Sequence, residues 1–478
     1  MHQAQAFKNK STASLCVTAC LLVLPYVSPK LTAWRVFGEA IAMPWRAAPG
    51  AEVLPAVVAT TLPENVAPAL ASAVPTLLAA AAVPAAPGPP TKEGLVAIEQ
   101  NTAMAAFYAS MAKTLAKEPH AVTRILHYGD STIAADYTTR TVRRMLQEKY
   151  GDAGHGFLLV GKPWPGYEHA DVHYSEAFDG WKVARLGGPT AKNSKHGLGG
   201  VAYRGGEGTT SHFGTALHGA LGAKASRMEL FYELEADGGG SVEVSRQGGP
   251  TETFSTHKDG PMIGVYSTEF ADGAAAFKLT THGAPKIYGA VLEREGPGFV
   301  YDALGIVGGR MRHFGEQDGA HWAEAVKLRK SALVVVQFGA NEAEAETMQD
   351  DEYANAVRSV IDKLRGAGDA AHLSIMLAAP MDRGEARTDG SVRSLPGISR
   401  VIDVQRRIAK EKNCAFWDTR AAMGGEGAIG RWAKRGLAGD DYVHPTPKGA
   451  SMLGGYFYDA LIAGYTEWRR AHPGAAAP

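Results

Sequence analysis

Short apolar runs alternate with amphipathic segments along the part of the chain that begins near Lys92. Each run is mostly apolar, as is typical of a strand buried on both faces of a parallel sheet. The runs are ILHY (125–128), ALVVVQF (332–338), LSIMLAA (373–379) and CAFW (414–417). Helical spacing of apolar residues predicts helices that include residues 95–115, 133–149, 357–364, 398–408 and 448–469. This alternation predicts a parallel sheet with helices on both faces.

The pattern changes between about Tyr150 and Tyr301, where apolar and polar residues alternate with a period of two. Examples are MELFYELE from Met228, SVEVS from Ser241 and AAFKLTT from Ala275, separated by glycine-rich turns. Alternation of this kind predicts an antiparallel β-sandwich. Because the helix-and-strand pattern stands on both sides of it, we interpret the sandwich as a domain inserted into a split α/β domain.

The N-terminal part of the chain lacks either pattern. Lys8 and Lys10 precede an uncharged run over residues 11–27, which predicts a signal peptide or signal anchor over residues 1–28. A buried helix of a cytosolic protein is the alternative for this run. Residues 29–91 are rich in Pro and Ala and predict a largely disordered linker. We therefore expect export to the periplasm or cell envelope, with the apolar segment as an inner-membrane tether if it is not removed.

Composition narrows the class of protein. The 478 residues include 49 Lys and Arg and 49 Asp and Glu, so the formal net charge is zero. A protein that binds nucleic acid by neutralising phosphates normally has a basic excess, so no nucleic-acid partner is expected. Three cysteines cannot form a disulfide framework, and the sequence contains no CxxC or HExxH motif for zinc.

Ser131 follows the first predicted strand directly, in Gly129-Asp130-Ser131. Open α/β sheets place their sites at the carboxyl ends of strands, and a Ser on a tight turn there can act as a nucleophile. The alternative is that Ser131 caps the next helix. We expect Asp130 to brace the turn by hydrogen bonding and His127, within the strand, to pack in the interior.

The sequence Asp441-Tyr442-Val443-His444 lies just before the last predicted helix. A carboxylate three residues before a His can orient the imidazole through Nδ1–H while Nε2 accepts the proton of a nucleophile. The alternative is a surface Asp beside a His that packs on the helix.

Asn341 and Gly308 are candidates for stabilising a developing oxyanion. Asn341 closes the longest apolar run, and its side-chain amide can donate to a negatively charged oxygen; a turn or helix cap is the alternative. Gly308 lies in Gly305-Ile306-Val307-Gly308-Gly309, where a backbone N–H can approach a substrate closely.

The order of these pieces is that of the SGNH (GDSL-like) hydrolase family, which the chain resembles over about residues 94–150 and 300–470. The positions that match the four residues in the family's name are Ser131, Gly308, Asn341 and His444. Asp441 completes the triad. The sequence departs from the family at Thr132, where Leu is common, and at Glu342, where Asp is common.

The resemblance implies a three-layer α/β/α parallel sheet with an inserted antiparallel β-sandwich domain. The split hydrolase domain then comprises residues 92–150 and 301–472, and a carbohydrate-binding-like insert comprises residues 151–300. HYGDS, a long β insertion and GxNEA together are most similar to the peptidoglycan O-acetylesterases of Gram-negative bacteria.

The resemblance also implies the activity, that of an exported serine esterase that removes acetyl groups from a cell-envelope polysaccharide. Peptidoglycan is the leading candidate for this substrate. Ser131 is then the nucleophile, His444 the base and Asp441 the residue that orients it. Ser131 and Gly308 supply backbone N–H groups, and Asn341 its side-chain amide, to an oxyanion hole. Neither a metal nor an organic cofactor is implied. A polysaccharide O-acetyltransferase with the same triad and a non-catalytic glycan-binding scaffold remain alternatives.

Four aromatic residues in and near the predicted insert have two interpretations. They can stack on sugar rings or fill the core of the sandwich. They are Trp164, Tyr167, Trp181 and Tyr203. The sequence indicates no oligomeric state.

Overall fold

The computed structural model describes residues 93–174, 180–189, 193–258, 263–344 and 349–478. The predicted signal segment (1–28) and linker (29–91) lie outside the described residues.

The described strands, in chain order, are β1 (Val122–Gly129), β2 (Gly156–Leu158), β3 (Val172–Tyr174), β4 (Lys182–Arg185), β5 (Val201–Arg204), β6 (Thr210–Thr215), β7 (Ala225–Glu233), β8 (Gly240–Arg246), β9 (Thr251–Ser255), β10 (Ile263–Gly273), β11 (Ala276–Gly283), β12 (Lys286–Glu293), β13 (Gly298–Gly305), β14 (Leu333–Gln337), β15 (Ser374–Ala378), β16 (Gly384–Ala386), β17 (Val392–Ser394) and β18 (Ala415–Trp417).

The described α-helices, in chain order, are α1 (Ala105–Leu115), α2 (Ser131–Ala134), α3 (Tyr137–Tyr150), α4 (Met311–Glu316), α5 (Gly319–Leu328), α6 (Asp350–Arg365), α7 (Pro396–Glu411), α8 (Thr419–Ala422), α9 (Ala428–Lys434) and α10 (Pro447–Arg470).

Strands β13, β1, β14, β15 and β18 lie side by side in that order, and each neighbouring pair is parallel. The sequence of β14, LVVVQ, is rich in β-branched residues, and the whole strand is buried, as a central parallel strand requires. The register places Gly129 beside Gly305 and Gln337. The segments that follow β1, β13 and β14 therefore leave the sheet at the same edge.

Alternate residues of these strands serve two apolar cores, one on each face of the sheet. Ile125 and Val335 pack in a core with α1, α3 and α10, whereas Leu126 and Val336 pack in a core with α4, α5, α6 and α7. The parallel sheet therefore lies between two helical layers, which confirms the predicted architecture.

The segment between α3 and β13 forms two antiparallel sheets. One has the order β10-β7-β12-β5-β4, with β2 also paired to β12, and the other has the order β3-β6-β11-β8-β9. Leu230 of the first sheet and Leu279 of the second are both fully buried in the same apolar core. The predicted antiparallel sandwich is confirmed.

Some element boundaries differ from the sequence prediction. The apolar spacing predicts a helix from Leu95, but that residue is exposed, and Glu99 instead forms a backbone bridge with Phe416. The predicted helix over residues 133–149 is interrupted at Asp136, whose backbone is left-handed (φ 53°) and whose buried carboxylate pairs with Arg143.

The parallel sheet also contains strand β13, which the pattern of apolar runs does not predict. The predicted boundary between residues 300 and 301 falls within this strand. Among the helices of the described residues, none is both long and apolar enough to cross a membrane.

A buried ion cluster joins the inserted sheets to the parallel sheet. Glu293, at the end of β12, accepts hydrogen bonds from Arg124 of β1 at 2.9 and 2.7 Å, from Arg227 of β7 at 2.5 Å and from Arg329 at 2.6 Å. Arg329 also donates to Asp302 of β13 at 2.7 and 3.1 Å. Burial alone raises the pKa of Glu293, but the positive charges of Arg329 and Arg124 outweigh it and hold that pKa well below its usual range.

Replacing Glu293 by Gln should destabilise the fold, because the buried Arg329 then keeps only one negatively charged partner within the described part of the chain, Asp302. Breaking a buried ion pair from one side costs about 3–5 kcal/mol, and we expect a loss of that order in the free energy of unfolding. Urea denaturation monitored by fluorescence measures it. The control is Glu411→Gln, which breaks the exposed pair with Arg358 and should leave the urea midpoint unchanged. Equal midpoints for all three proteins would contradict the importance of the cluster.

Candidate active site

Ser131 lies on a tight turn at the carboxyl end of β1. Gly129 is required there, because a Cβ atom at this position would lie 2.3 Å from Cγ1 of Ile133. The N-cap of α2 is Asp130, whose carboxylate accepts hydrogen bonds from the backbone N–H of Thr132 at 3.0 Å and from its hydroxyl at 2.9 Å. Asp130 thus caps the helix and braces the turn. The hydroxyl of Ser131 is therefore not needed as the helix cap and is available to another partner.

That hydroxyl meets the imidazole of His444. Oγ of Ser131 lies 2.9 Å from Nε2 of His444, and Nδ1 of His444 lies 2.7 Å from Oδ2 of Asp441. With the proton on Nδ1 donated to the carboxylate, Nε2 is the acceptor of the Ser131 hydroxyl. The structure therefore brings the three predicted residues into one chain of hydrogen bonds.

The loop before α10 holds Asp441 in position. Its Oδ1 accepts hydrogen bonds from the backbone N–H groups of Val443 at 3.0 Å and His444 at 3.1 Å. Partial burial raises the pKa of Asp441, but the hydrogen bonds from His444 and Val443 outweigh this effect and lower it overall. The carboxylate is thereby kept ionised beside the imidazole.

The other side of the site is formed by the segments that follow β13 and β14. Gly308 is exposed and has a left-handed backbone (φ 71°), and Gly309 follows it. Nδ2 of Asn341 donates to the carbonyl of Gly309 at 2.9 Å. An Asn amide carries two N–H donors, so the second can serve a ligand. Asn341 is thus joined to the turn that carries Gly308.

A cavity adjoins the hydroxyl of Ser131 and the amide of Asn341. Sequence reasoning missed most of its wall, since the residues that follow β15 carry no recognisable motif. The lining residues are Asp130, Ser131, Thr132, Gln337, Ala340, Asn341, Pro380, Met381, Asp382, Arg383 and Val443. Arg383 donates to the carbonyl of Ala340 at 3.0 Å and forms an ion pair with Glu344.

A second cavity shares Thr132, Gln337 and Met381 with the lining of the first. It is lined by His127, Thr132, Ile133, Thr138, Gln337, Met381, Trp417, Thr419, Leu453 and Phe457. Its polar end is a buried network in which His127 bonds to Tyr301 at 2.7 Å and to Gln337 at 2.9 Å. Burial lowers the pKa of His127 to about 3, so its imidazole is neutral. His127 is therefore an interior residue, as expected from its place within the strand.

The predicted aromatic residues divide into two groups. Tyr167 and Tyr203 are buried in the core, and Tyr203 donates to the carbonyl of Gly161. Trp164 and Trp181 are partly exposed. Within the described residues, no group of three or more His, Cys, Asp and Glu is arranged to hold a metal ion.

Glu342, the residue after Asn341, is a buried carboxylic acid beside the site. Its Oε1 accepts a hydrogen bond from the backbone N–H of Met311 at the start of α4. Its Oε2 is buried without a hydrogen-bond partner among the described residues. Burial raises the pKa of Glu342 to about 7, and the nearby Asp130 contributes in the same direction.

Replacing Glu342 by Gln should make the fold less sensitive to pH. The folded protein binds this proton more tightly than the unfolded chain, so Glu342 contributes stability below pH 4.5 that is lost as the pH rises through about 7. Above pH 7 we expect the variant to be more stable than the wild type by up to about 3 kcal/mol. Urea titrations over this pH range measure the difference. Parallel pH profiles for the two proteins would contradict the assigned protonation.

Comparisons with known proteins agree with this geometry. The model of the GDSL-like Lipase/Acylhydrolase family matches residues 267–452, a range that includes Gly308, Asn341, Asp441 and His444. A solved structure of a peptidoglycan O-acetylesterase matches with a TM-score of 0.63 at 21% identity, covering 76% of this chain and 97% of that chain.

Two further solved structures match less closely. An acetyl xylan esterase has 18% identity and a TM-score of 0.27, covering 34% of this chain and 80% of its own. A family two carbohydrate esterase from Cellvibrio japonicus has 9% identity and a TM-score of 0.25, and the match covers 62% of this chain and 98% of that chain. No curated protein matches the chain.

The family match includes Gly308, Asn341, Asp441 and His444 in the order expected from the sequence, whereas Ser131 lies before the matched range. The shared fold of the first solved structure agrees with the sheet that carries them. The chain is similar to the GDSL-like lipase/acylhydrolase (SGNH) family over residues 267–452, and it shares the fold of a peptidoglycan O-acetylesterase over 76% of its length.

Proposed function

We propose that this protein is an exported serine esterase that removes O-acetyl groups from a cell-envelope polysaccharide, with peptidoglycan as the first candidate. The observation that carries the proposal is the unbroken chain of hydrogen bonds from Asp441 through His444 to Ser131. Such a chain lowers the barrier to moving the hydroxyl proton onto the imidazole as Oγ attacks an ester carbon.

The first half of the reaction forms an acetyl-enzyme. Oγ of Ser131 bonds to the acetyl carbonyl carbon, and its proton passes to Nε2 of His444. The carbonyl oxygen becomes an oxyanion, which the N–H groups of Gly308, Asn341 and Ser131 stabilise. When the tetrahedral intermediate collapses, the bond to the sugar oxygen breaks, and that oxygen takes the proton from His444. The imidazole of His444 is then neutral and ready to act again.

The second half of the reaction releases acetate. Water gives a proton to Nε2 of His444 and bonds to the carbonyl carbon, and collapse of the second tetrahedral intermediate returns that proton to Oγ of Ser131. Asp441 stabilises the imidazolium in both halves. A sugar hydroxyl in place of water turns the same steps into acetyl transfer, so the identity of the acceptor separates the esterase from the transferase.

The choice of substrate and location rests on two considerations. A solved structure that shares the fold over 76% of this chain is a peptidoglycan O-acetylesterase. The basic start and apolar run within residues 1–28 fit an export signal, and export delivers the chain to the compartment where peptidoglycan lies. On this proposal the substrate is an acetylated glycan, and no nucleic acid is bound.

Acetate release by the purified protein tests the proposed function. Acetylated peptidoglycan and acetylated xylan are incubated with the wild type and with two variants, and the products are followed by mass spectrometry. Ser131→Ala should lose at least about four orders of magnitude in rate, because the nucleophile is gone. Asn341→Ala should lose about two to three orders, because one oxyanion donor is removed.

The matched control is Ser451→Ala on α10, a serine that lines neither cavity; it should behave as the wild type. Wild-type activity in Ser131→Ala would refute the mechanism. Faster release from xylan would refute the preference for peptidoglycan, and transfer of acetyl to oligosaccharide in excess over free acetate would assign a transferase.

The wall between the two cavities should limit the size of the acyl group that the site accepts. Met381 belongs to both linings, so Met381→Ala should join the cavities behind the acyl group. We expect kcat/KM for a butyrate ester relative to an acetate ester to rise about tenfold, a typical effect of one or two methylenes in an apolar pocket. Met452→Ala, in the same apolar cluster but in neither lining, is the control. An unchanged ratio in Met381→Ala would show that the wall lies elsewhere.

A further inference from the structure

The peptide group between Val307 and Gly308 is held from the inserted sheet. Nη1 of Arg185, the last residue of β4, donates a hydrogen bond to the carbonyl of Val307 at 3.1 Å. On the other side of the turn, Asn341 donates to the carbonyl of Gly309 at 2.9 Å. Gly308 therefore lies between two carbonyls, each fixed by a side chain from a different part of the fold.

The bond from Arg185 determines where the N–H of Gly308 points. The carbonyl of Val307 and the N–H of Gly308 belong to one peptide group, and in a planar trans peptide these two bonds point in opposite directions. The described residues contain no cis peptide. A guanidinium that holds the carbonyl toward the insert therefore holds the N–H away from it.

The turn is closed by the backbone N–H of Gly309, which donates to the carbonyl of Ile306 at 2.8 Å, but this bond does not fix the direction of the central peptide between Val307 and Gly308. Val307 is 44% exposed, so its side chain is not locked by packing. Gly308 has no side chain, and glycine tolerates a wide range of φ, so the plane can rotate at low cost unless its carbonyl is bound. Loss of the bond from Arg185 would thus allow the donor to turn out of the site.

The insert is well placed to exert this restraint. The backbone N–H of Asn193 donates to the carbonyl of Glu316 at 2.9 Å, and that of Asp318 donates to the carbonyl of Ser194 at 3.2 Å. The guanidinium of Arg185 lies 5.9 Å from the ring centre of Trp164. The insert is thus bonded to the segment 307–318 at both of its ends.

We propose that Arg185 is a positioning residue which aims the N–H of Gly308 at the oxyanion, so that the inserted β-domain completes the oxyanion hole. This inference rests on the proposed function. The negative charge on the carbonyl oxygen develops only in the transition state. A Gly308 N–H that no longer points at this oxygen should therefore lower kcat more than it changes KM.

Steady-state hydrolysis of a nitrophenyl acetate by the full chain tests the inference. Arg185→Met keeps an unbranched apolar stem as far as the position of Nε but removes the guanidinium and its donors. We expect kcat to fall by about one to two orders of magnitude, below the full cost of a lost oxyanion donor, while KM changes less than twofold. Arg185→Lys, whose ammonium can also bind a carbonyl, should recover most of kcat.

The matched control is Arg246→Met. Arg246 belongs to the other inserted sheet, and its guanidinium lies 5.0 Å from the ring centre of Phe270, much as that of Arg185 faces Trp164. This variant should keep the wild-type kcat. If Arg185→Met does not fold, Arg185→Gln replaces it, because the Gln amide ends two bonds short of Nη1.

Each outcome decides a separate point. An undiminished kcat in a folded Arg185 variant overturns the inference but leaves the esterase intact. A raised KM with unchanged kcat overturns it in favour of substrate binding, and a loss that Lys does not restore overturns it in favour of a purely structural role. A wild type without turnover that depends on Ser131 overturns the proposed function and the inference together.

Discussion

The buried pairing of Glu293 with Arg329 determines where the chain re-enters the parallel sheet after the inserted sheets. An unpaired charge in a dry interior costs several kcal/mol, so this cluster tolerates little displacement of its members. One member, Arg124, belongs to β1 and another, Asp302, to β13, and both strands end at the site. The cluster thus ties the inserted sheets to the two strands that lead into Ser131 and the Gly308 turn.

Much of the fold and the identity of the central residues could be predicted because they depend on local pattern. The buried strand LVVVQ and the helix from Asp350 have their periodicity in a single stretch of sequence. The role of Ser131 was ambiguous, because Ser and Asp both cap helices well. The structure resolves this ambiguity, since Asp130 is the cap.

What could not be predicted depends on partners far away in the sequence. Strand β13 contains Asp302 near its middle, and a charged residue there argues against a buried strand when only the sequence is considered. The structure explains it, because Arg329 pairs with this carboxylate. Glu342 resembles a surface carboxylate until the strands bury it. The role proposed for Arg185 depends on the direction of one peptide plane, and no spacing rule in the sequence encodes such a direction.

Ser131 and His444, whose hydroxyl and imidazole meet in the site, are 313 positions apart in the sequence. The first belongs to the earliest βα unit, and the second precedes the helix that ends the fold. A chain cut before the last loop still contains Ser131 and the Gly308 turn, but it lacks the imidazole of His444 and loses Val443 from the wall of the first cavity. On the proposed mechanism, reactivity is therefore a property of the complete tertiary structure, because Ser131 has no proton acceptor until the loop that precedes α10 has docked.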